Sequence, residues 1–322
     1  MSTLARRIRR SPALPVSIAL LGVIYLVGVL TIDGFGGSST VRAVLLLATF
    51  LGLAAAGQTL VIIIGGIDLS IPFVVGAANV AVAQLYGNGM PFGLACLIAL
   101  AGAAVFGAFN AVVSVRCRVH PLLVTLGSGT ALLGLIQWWT KGLSSGAVPG
   151  WLGDFVSIGA DAGPLPFAPV VVLWIVVAAL VIALMRVTVF GRSAYALGSA
   201  PRAAELALVR PLRVWTGAFA LSAVLAAVAG ILMLGFTGSA FAAVGQPYLF
   251  LSIGAVVIGG TAITGGVGGY GGTIVGALTL TLLTTVFVGL GLGDAVQQAV
   301  LGAVIIVLVA AYGREAHVRT RI

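Results

Sequence analysis

The sequence predicts an all-α polytopic membrane protein, and three observations lead to this fold class. Of its 322 residues, 61% are hydrophobic and only 7% are charged, whereas an ordinary soluble domain carries about 25% charged residues. The mean hydropathy is +1.23, and the apolar residues fall into long runs separated by short segments. Most basic residues stand in those short segments, so the net charge of +9 indicates a membrane topology and gives no reason to expect a nucleic-acid partner.

About ten apolar runs are long enough to cross a bilayer, which takes about 20 residues in a helix. They are residues 14–32, 43–64, 71–86, 92–115, 121–140, 169–185, 214–235, 247–264, 272–292 and 296–312. We expect a single transmembrane domain over 14–313, between a basic N-terminus at 1–13 and a basic C-terminus at 314–322. No convincing cleavage pattern follows the first run, so we expect a retained helix and no removable signal peptide.

The charges give these helices a direction. Fourteen of the sixteen basic residues fall in segments on one side, and only Arg42 and Lys141 fall on the other. The opposite side carries four acidic residues, Asp33, Asp154, Asp161 and Asp294. Because cytoplasmic loops carry an excess of Lys and Arg, we expect both termini in the cytoplasm. If residues 43–86 or 247–292 formed a single span, the basic segments that follow would fall outside the cytoplasm. Each stretch is therefore expected to form two spans, joined at Gly65–Ser70 and around Gly265–Gly272.

A single acidic residue stands at the first of these joints. The apolar run that starts at Gly57 ends in the sequence Gly65-Gly66-Ile67-Asp68-Leu69-Ser70. This places Asp68 at the end of a hairpin between two spans. Two interpretations stay open, a functional carboxylate, which is the usual meaning of an intramembrane acid, or a cap on the helix that follows.

The pattern G-x-G-x-x-G occurs at Gly266–Gly271, but it does not predict a nucleotide site. It lies between two membrane helices where the dinucleotide motif needs a strand before it, and no acid follows until Asp294. We expect a tight turn, with Gly272 and Gly276 as close-packing positions in the next helix. A Walker motif is absent, and the only lysine is Lys141, so the chain has no P-loop for ATP hydrolysis.

The histidines and cysteines form no recognisable site. His120 and His317, the only histidines, stand near predicted cytoplasmic ends, while Cys96 lies in a span and Cys117 in a basic loop. No metal-ligand spacing, catalytic triad or disulfide framework follows from them. We therefore expect no enzyme activity, no catalytic residue, no metal site and no cofactor.

Neutral polar residues predominate among the polar positions of the spans. Amides and hydroxyls suit the path of a neutral polyol better than that of an ion, although each could also join two helices, at about 0.6 kcal/mol apiece. The candidate residues for a substrate path or gate are Gln58, Asp68, Ser70, Asn79, Asn110 and Thr125. An ion-coupled secondary transporter for a small neutral solute is the alternative, with Asp68 as its carboxylate. A structural or channel-forming membrane protein is a third hypothesis.

The charged segment between Gly198 and Pro211 differs from all the spans. A helix of about ten residues covers only ~15 Å, so it cannot cross the bilayer. By their spacing, four residues share one face of this helix: Ala203, Leu206, Ala207 and Arg210. An amphipathic helix on the membrane surface is one interpretation, and a cytoplasmic docking helix, which the single acid Glu205 favours, is the other.

Several motifs occur in a fixed order along the chain. They are Gly57–Val61, Gly65–Ser70, Gly107–Asn110, His120–Gly127, Gly191–Gly198 and Val257–Thr261. Over roughly residues 40–310, their order and spacing resemble those of the membrane permeases of bacterial ABC importers, in the ribose-, xylose- and galactose-type (monosaccharide) branch. The chain departs from that pattern at Pro72, and in the stretch 206–211, which lacks the family's glycine.

The resemblance implies a permease subunit that provides a path for a monosaccharide across the bacterial inner membrane. It also implies three partners: a cytoplasmic ATP-binding-cassette ATPase, a periplasmic sugar-binding protein, and a second copy of this permease or a related one. The family's short cytoplasmic coupling helix falls on residues 199–210. The candidate contacts with the ATPase are then Ser199, Pro201, Arg202, Glu205 and Leu206.

Overall fold

The structure is a computed structural model, and it describes residues 13–143, 146–293, 295–300 and 302–303. No β-strand occurs in these ranges, so the all-α class is confirmed. The helices are α1 (Ala13–Thr31), α2 (Ser38–Ile63), α3 (Ile71–Gly87), α4 (Phe92–Arg116), α5 (Pro121–Thr140), α6 (Gly150–Phe155), α7 (Pro169–Val187), α8 (Val189–Ser199), α9 (Pro201–Leu206), α10 (Pro211–Thr237), α11 (Tyr248–Ile258) and α12 (Tyr270–Gly289).

Within the described ranges, seven helices are long and apolar enough to cross a membrane: α1, α2, α4, α5, α7, α10 and α12. Helices α3 and α11 are apolar but shorter. The polytopic helical architecture is thus confirmed. The prediction of a span over 247–264 is wrong in length, because α11 already ends at Ile258. Of the last predicted span, 296–312, residues 296–300 and 302–303 are helical, and the others lie outside the described residues.

Helix α2 lies at the centre of the bundle and is buried on all sides over most of its length. Its middle consists of three alanines and Gly57, small residues that let neighbouring helices approach closely. There, a Cβ atom on Gly57 would lie 2.7 Å from the Cα atom of Ser222 in α10. On another side, the Tyr270 hydroxyl donates to the carbonyl of Gly52 at 2.8 Å and accepts from Trp174 Nε1 at 2.8 Å. These contacts hold α7, α10 and α12 against α2.

The first break in the helical spans follows α2. Gly65 has a φ of +85°, which L residues other than glycine rarely adopt, and it reverses the chain. Residues 66–70 are then non-helical and return into the protein before α3 begins at Ile71. Such backbone is tolerated at membrane depth where protein covers it, and Gly66, Asp68 and Ser70 are buried while Ile67 and Leu69 are partly exposed.

A second non-helical segment, residues 238–247, lies between α10 and α11 and runs along α3. The N–H of Phe241 donates to Asn79 Oδ1 at 2.9 Å, and Gly245 lies so close to Pro72 that a Cβ atom would overlap the Pro72 carbonyl. Helix α11 therefore begins inside the protein and covers about 16 Å, roughly half of a ~30 Å hydrocarbon core. The N-terminal ends of the two short helices α3 and α11 consequently lie close together in the interior.

One end of the bundle brings together charges predicted to share the outer side. Arg42, near the start of α2, pairs with Asp161 at 3.2 Å. Both side chains are partly exposed, so the pair contributes less than about 1 kcal/mol. The pair shows that the start of α2 and the segment before α7 lie at the same end of the helical bundle.

The charged segment before Pro211 folds differently from the prediction. Helix α8 ends at Ser199, and α9 has only six residues, where one helix of about ten was expected. Leu208, with a φ of +62°, reverses the backbone soon after α9. The predicted common face of four residues is therefore wrong, and the buried side chain in α9 is that of Ala204.

Candidate functional site

Asp68 lies in the interior of the protein, with only 2% of its surface exposed. Its partner Ser222 is eleven residues into α10, about 16 Å along the helix axis from Pro211. The expected position at the surface end of a hairpin is therefore wrong, because the chain turns back into the bundle after Gly66.

Three hydrogen bonds hold the carboxylate of Asp68. Its Oδ1 accepts from the Ser70 N–H at 2.9 Å and from the Ser70 hydroxyl at 2.5 Å, and its Oδ2 accepts from the Ser222 hydroxyl at 2.8 Å. Helix α3 begins directly after Ser70, and the partial positive charge of its N-terminal end favours a nearby carboxylate. The sole ion pair of the described residues is the distant Arg42–Asp161 pair. Hydroxyls and backbone dipoles thus stabilise Asp68 in place of a cation.

The capping interpretation of Asp68 holds only in part. The N–H groups of Phe73 and Val74 donate to the carbonyl of Ser70, each at 3.0 Å, and do not reach the carboxylate. Asp68 instead fixes the N–H and hydroxyl of Ser70 itself, a local bond of the kind that shapes turns. Its carboxylate therefore sets the geometry of the break and ties it to α10.

Hydrogen bonds extend from this carboxylate to α4 and α5. Asn110 Nδ2 donates to the Ser70 hydroxyl at 3.3 Å, and the Ser128 hydroxyl donates to Asn110 Oδ1 at 2.6 Å. The Leu69 N–H donates to Thr125 Oγ1 at 3.0 Å. Four of the predicted site residues, Asp68, Ser70, Asn110 and Thr125, therefore form one network, which we call the Asp68 network together with Ser128 and Ser222.

Ser222 was missed in the sequence. It is one of two hydroxyls in the predicted span 214–235, the other being Thr216, and nothing in its neighbours marks it as a hydrogen-bond partner of Asp68. The nearest signal is Gly57, since a glycine inside a long helix can indicate close approach of another backbone. That signal identifies a contact but not its partner.

The other two predicted path residues lie outside the Asp68 network. Asn79 Nδ2 donates to the carbonyl of Gly230 at 3.1 Å, and its Oδ1 accepts from Phe241, so Asn79 joins α3 to α10 and to the 238–247 segment. Gln58 is fully buried in α2, on the face that packs against α11 and α12.

The end of α8 touches two joints between helices. One is the end of α2, where the first break begins, and the other is the glycine-rich turn 259–269 between α11 and α12; we call them the two breaks below. A Cβ atom on Gly198 would overlap the carbonyl of Ile63, which is the last residue of α2. The same atom would lie 2.6 Å from the nitrogen of Gly266. The Gly266 N–H in turn donates to that same Ile63 carbonyl at 2.9 Å. One turn earlier in α8, the Tyr195 hydroxyl donates to the carbonyl of Gly268 at 2.9 Å. The residues just before α9 are thus in direct backbone contact with the ends of two membrane hairpins.

The glycine-rich turn is used for packing, as expected. Besides the bonds just described, the Gly269 N–H donates to Thr261 Oγ1 at 3.2 Å. In the helix that follows, Gly272 lies against the carbonyl of Gly259, the residue after α11, and Gly276 against that of Ala255 in α11, with no room for a side chain. The prediction of a tight turn and two close-packing positions is therefore confirmed.

The predicted coupling residues lie at the surface beside this contact. Ser199 ends α8, and Pro201 occupies the first turn of α9, where its missing N–H costs little. Glu205 and Arg202 are exposed, and Leu206 and Leu208 are 87% and 88% exposed. Two large apolar side chains are therefore exposed next to charges, an arrangement that both a docking surface and a helix on the membrane surface present.

Within the described ranges, no group of three or more His, Cys, Asp or Glu residues could hold a metal ion. Cys96 and Cys117 are free thiols, the first half-buried in α4 and the second exposed at its end. His120 accepts a 3.3 Å hydrogen bond from the Leu122 N–H through Nδ1, which caps α5.

Comparison with known proteins gives a consistent picture. Over residues 40–309 the chain matches the family described as branched-chain amino acid transport system / permease component. It is 36% identical over 299 residues to the Probable ABC transporter permease protein YphD of Escherichia coli strain K12, covering 91% of this chain and 87% of that protein. It is 30% identical over 265 residues to the Autoinducer 2 import system permease protein LsrD of Escherichia coli strain SMS-3-5, covering 80% and 79%. No solved structure matches the chain.

Proposed function

Because the chain belongs to the family of branched-chain amino acid transport system permease components, we propose that it is the permease subunit of an ATP-binding-cassette importer for a sugar. It is a multi-pass protein of the bacterial inner membrane. The sugar, in our proposal a monosaccharide, passes through a path in this subunit, and a separate ATPase supplies the energy. The proposed topology has ten spans, with both termini in the cytoplasm.

The contact between α8 and the two breaks carries this proposal. The chain has no Walker motif, so energy from ATP must enter through a surface. The exposed segment 199–210 is such a surface, and it follows directly on Gly198, which abuts the ends of α2 and of the 259–269 turn. A movement of α9 imposed by a docked ATPase therefore has a rigid route into the membrane hairpins.

The Asp68 network supplies the second half of the proposed mechanism. It ties the first break to α4, α5 and α10, and α10 begins just after the docking segment. We propose that these bonds act as a latch that holds the helices in one arrangement and rearranges when α10 moves. No covalent step is involved, so Asp68 and its partners gate the path without catalysing a reaction.

Three partners complete the proposed importer. They are a cytoplasmic ATP-binding-cassette ATPase, a periplasmic sugar-binding protein that delivers the solute, and a second permease copy, identical or related. Reconstitution in liposomes tests the whole assignment. An importer needs ATP, the ATPase and the binding protein for uptake, an ion-coupled transporter needs only an ion gradient, and a channel gives passive flux. Uptake driven by a gradient without the ATPase would overturn the proposal.

Reversing the charge of Glu205 is expected to weaken ATPase docking. Glu205→Lys places a further cation beside Arg202 and Arg210. If the facing surface of the ATPase is basic at this point, repulsion should reduce capture of the ATPase about tenfold, or ~1.4 kcal/mol. Copurification of the ATPase and substrate-stimulated ATP hydrolysis in liposomes measure the effect. Asp154→Lys, an exposed acid far from α9, is the matched control. Unchanged capture and hydrolysis in Glu205→Lys would return the segment to a surface-lying helix.

The topology makes a separate prediction for the two cysteines. Cys117 is exposed between Arg116 and Arg118, in a loop that the proposal places in the cytoplasm, whereas Cys96 lies within α4. We expect an impermeant thiol reagent to label Cys117 in inside-out vesicles and not in intact cells. Cys96 should stay unlabelled in both preparations, with Cys117→Ser as the control. Labelling of Cys117 from the periplasmic side would contradict the ten-span topology.

A further inference from the structure

Gln58 is the one described residue whose buried side-chain polar atoms have no hydrogen-bond partner. Both its Nε2 and its Oε1 are enclosed, and the side chain as a whole is 0% exposed. Buried polar groups are nearly always hydrogen-bonded, and an amide without a partner destabilises the protein that contains it. This amide lies in the most deeply buried helix, five residues before its C-terminal end, and a bound hydrogen-bonding group would offset its cost.

The position of Gln58 in α2 shows which space its amide faces. Leu51, Ala55 and Ile62 stand at i−7, i−3 and i+4, and all three pack against α11 and α12. The amide therefore enters the same seam, where the neighbouring Thr59 hydroxyl already pairs with the Thr273 hydroxyl of α12 at 2.9 Å. Ser252, buried on the facing side of α11, makes only a long 3.5 Å bond to its own helix. The seam thus contains two polar side chains with unused hydrogen-bonding capacity.

We propose that the Gln58 amide is a binding site for a hydroxyl group in the seam between α2, α11 and α12. A hydroxyl can donate to Oε1 and accept from Nε2, which satisfies both faces of the amide. Two sources supply this chemistry, an enclosed water molecule or a hydroxyl of the transported sugar. Only the second source rests on the proposed function. Helix α11 follows the non-helical 238–247 segment, so it can separate from α2 without breaking a continuous span.

Thermal unfolding of the purified full-length chain in lipid nanodiscs tests the proposal. Gln58→Met removes the amide while keeping the length of the side chain, and Leu51→Met, on the same face of α2, controls for methionine in this seam. If a hydroxyl is bound, Gln58→Met lowers the unfolding midpoint by several degrees more than Leu51→Met does. If nothing binds, removing an unpartnered amide raises the midpoint above that of the wild type, and the proposal is overturned.

Adding D-ribose in excess separates the two sources. A rise of the midpoint in the wild type that is absent in Gln58→Met assigns the hydroxyl to the solute. Where no shift depends on Gln58, a peak about 3 Å from the amide atoms in a density map assigns the hydroxyl to water, and a map without such a peak overturns the proposal. Because these readouts need no ATPase, a raised midpoint in Gln58→Met with normal ATP-driven uptake would reject this site and leave the proposed function intact.

Discussion

Replacing Gly198 by alanine is expected to abolish ATP-driven uptake and to destabilise the chain. The added Cβ atom would overlap the carbonyl of Ile63 and lie 2.6 Å from the nitrogen of Gly266. Both are backbone atoms, so the overlap is relieved only when the ends of α2 and of the 259–269 turn move away from α8. We expect a loss of about 1–3 kcal/mol in the free energy of unfolding, and uptake at background level in vesicles with matched amounts of protein.

A matched glycine in α5 controls for the change of residue type. An alanine at Gly134 would meet no atom within 4 Å, so Gly134→Ala should be neutral or stabilising by about 0.5–1 kcal/mol through better helix propensity. Its uptake should equal that of the wild type. If Gly198→Ala behaved like Gly134→Ala in both unfolding and uptake, the contact between α8 and the breaks would have no part in transmitting movement.

The second large effect is expected at Asp68. Asp68→Asn leaves one oxygen where the carboxylate had two, while Ser70 offers two donors and Ser222 a third. It also removes the negative charge that faces the N-terminal end of α3, worth about 0.3–1 kcal/mol or more in a buried setting. We expect uptake to fall about tenfold, or ~1.4 kcal/mol, while the amount of protein in the membrane changes much less.

Ser222→Ala tests whether Asp68 acts through its bond to α10. This change removes only the donor to Oδ2, so its effect should be smaller than that of Asp68→Asn. Because both changes break the same bond, the double variant should be less impaired than the sum of the two effects predicts. Uptake at the wild-type rate in Asp68→Asn, at equal membrane levels, would leave Asp68 a purely structural role in shaping the break.

Most helices could be placed from the sequence because the bilayer imposes a simple rule. A helix needs about 20 apolar residues to span the membrane, and α4, α5 and α12 begin and end within a few residues of the predicted runs. The breaks at Gly65–Ser70 and near Gly265 were also predicted, since charge parity required a reversal there. Helix α11 was predicted too long. It begins in the interior of the protein, after the non-helical 238–247 segment, and the hydropathy of the sequence does not show where such a helix begins or ends.

The contents of the candidate site could be predicted only in part. Asp68 stood out because an acid in an apolar run is rare, and Ser70, Asn110 and Thr125 were singled out as buried polar groups. Ser222 was missed, and the depth of Asp68 was wrong. In a membrane span both the lipid-facing and the protein-facing sides are apolar, so periodicity does not show which side chains meet.

The sequence by itself therefore determined the class of this protein, its multi-pass helical architecture and the positions of its breaks, because these depend on composition and on local backbone preference. The tertiary structure alone decided that the chain after Gly66 returns into the bundle, that Ser222 completes the ligands of Asp68, and that Gly198 touches both breaks. Each of these depends on the approach of segments far apart in the chain. Such approaches are set by the packing of all the helices together, which no single stretch of sequence encodes.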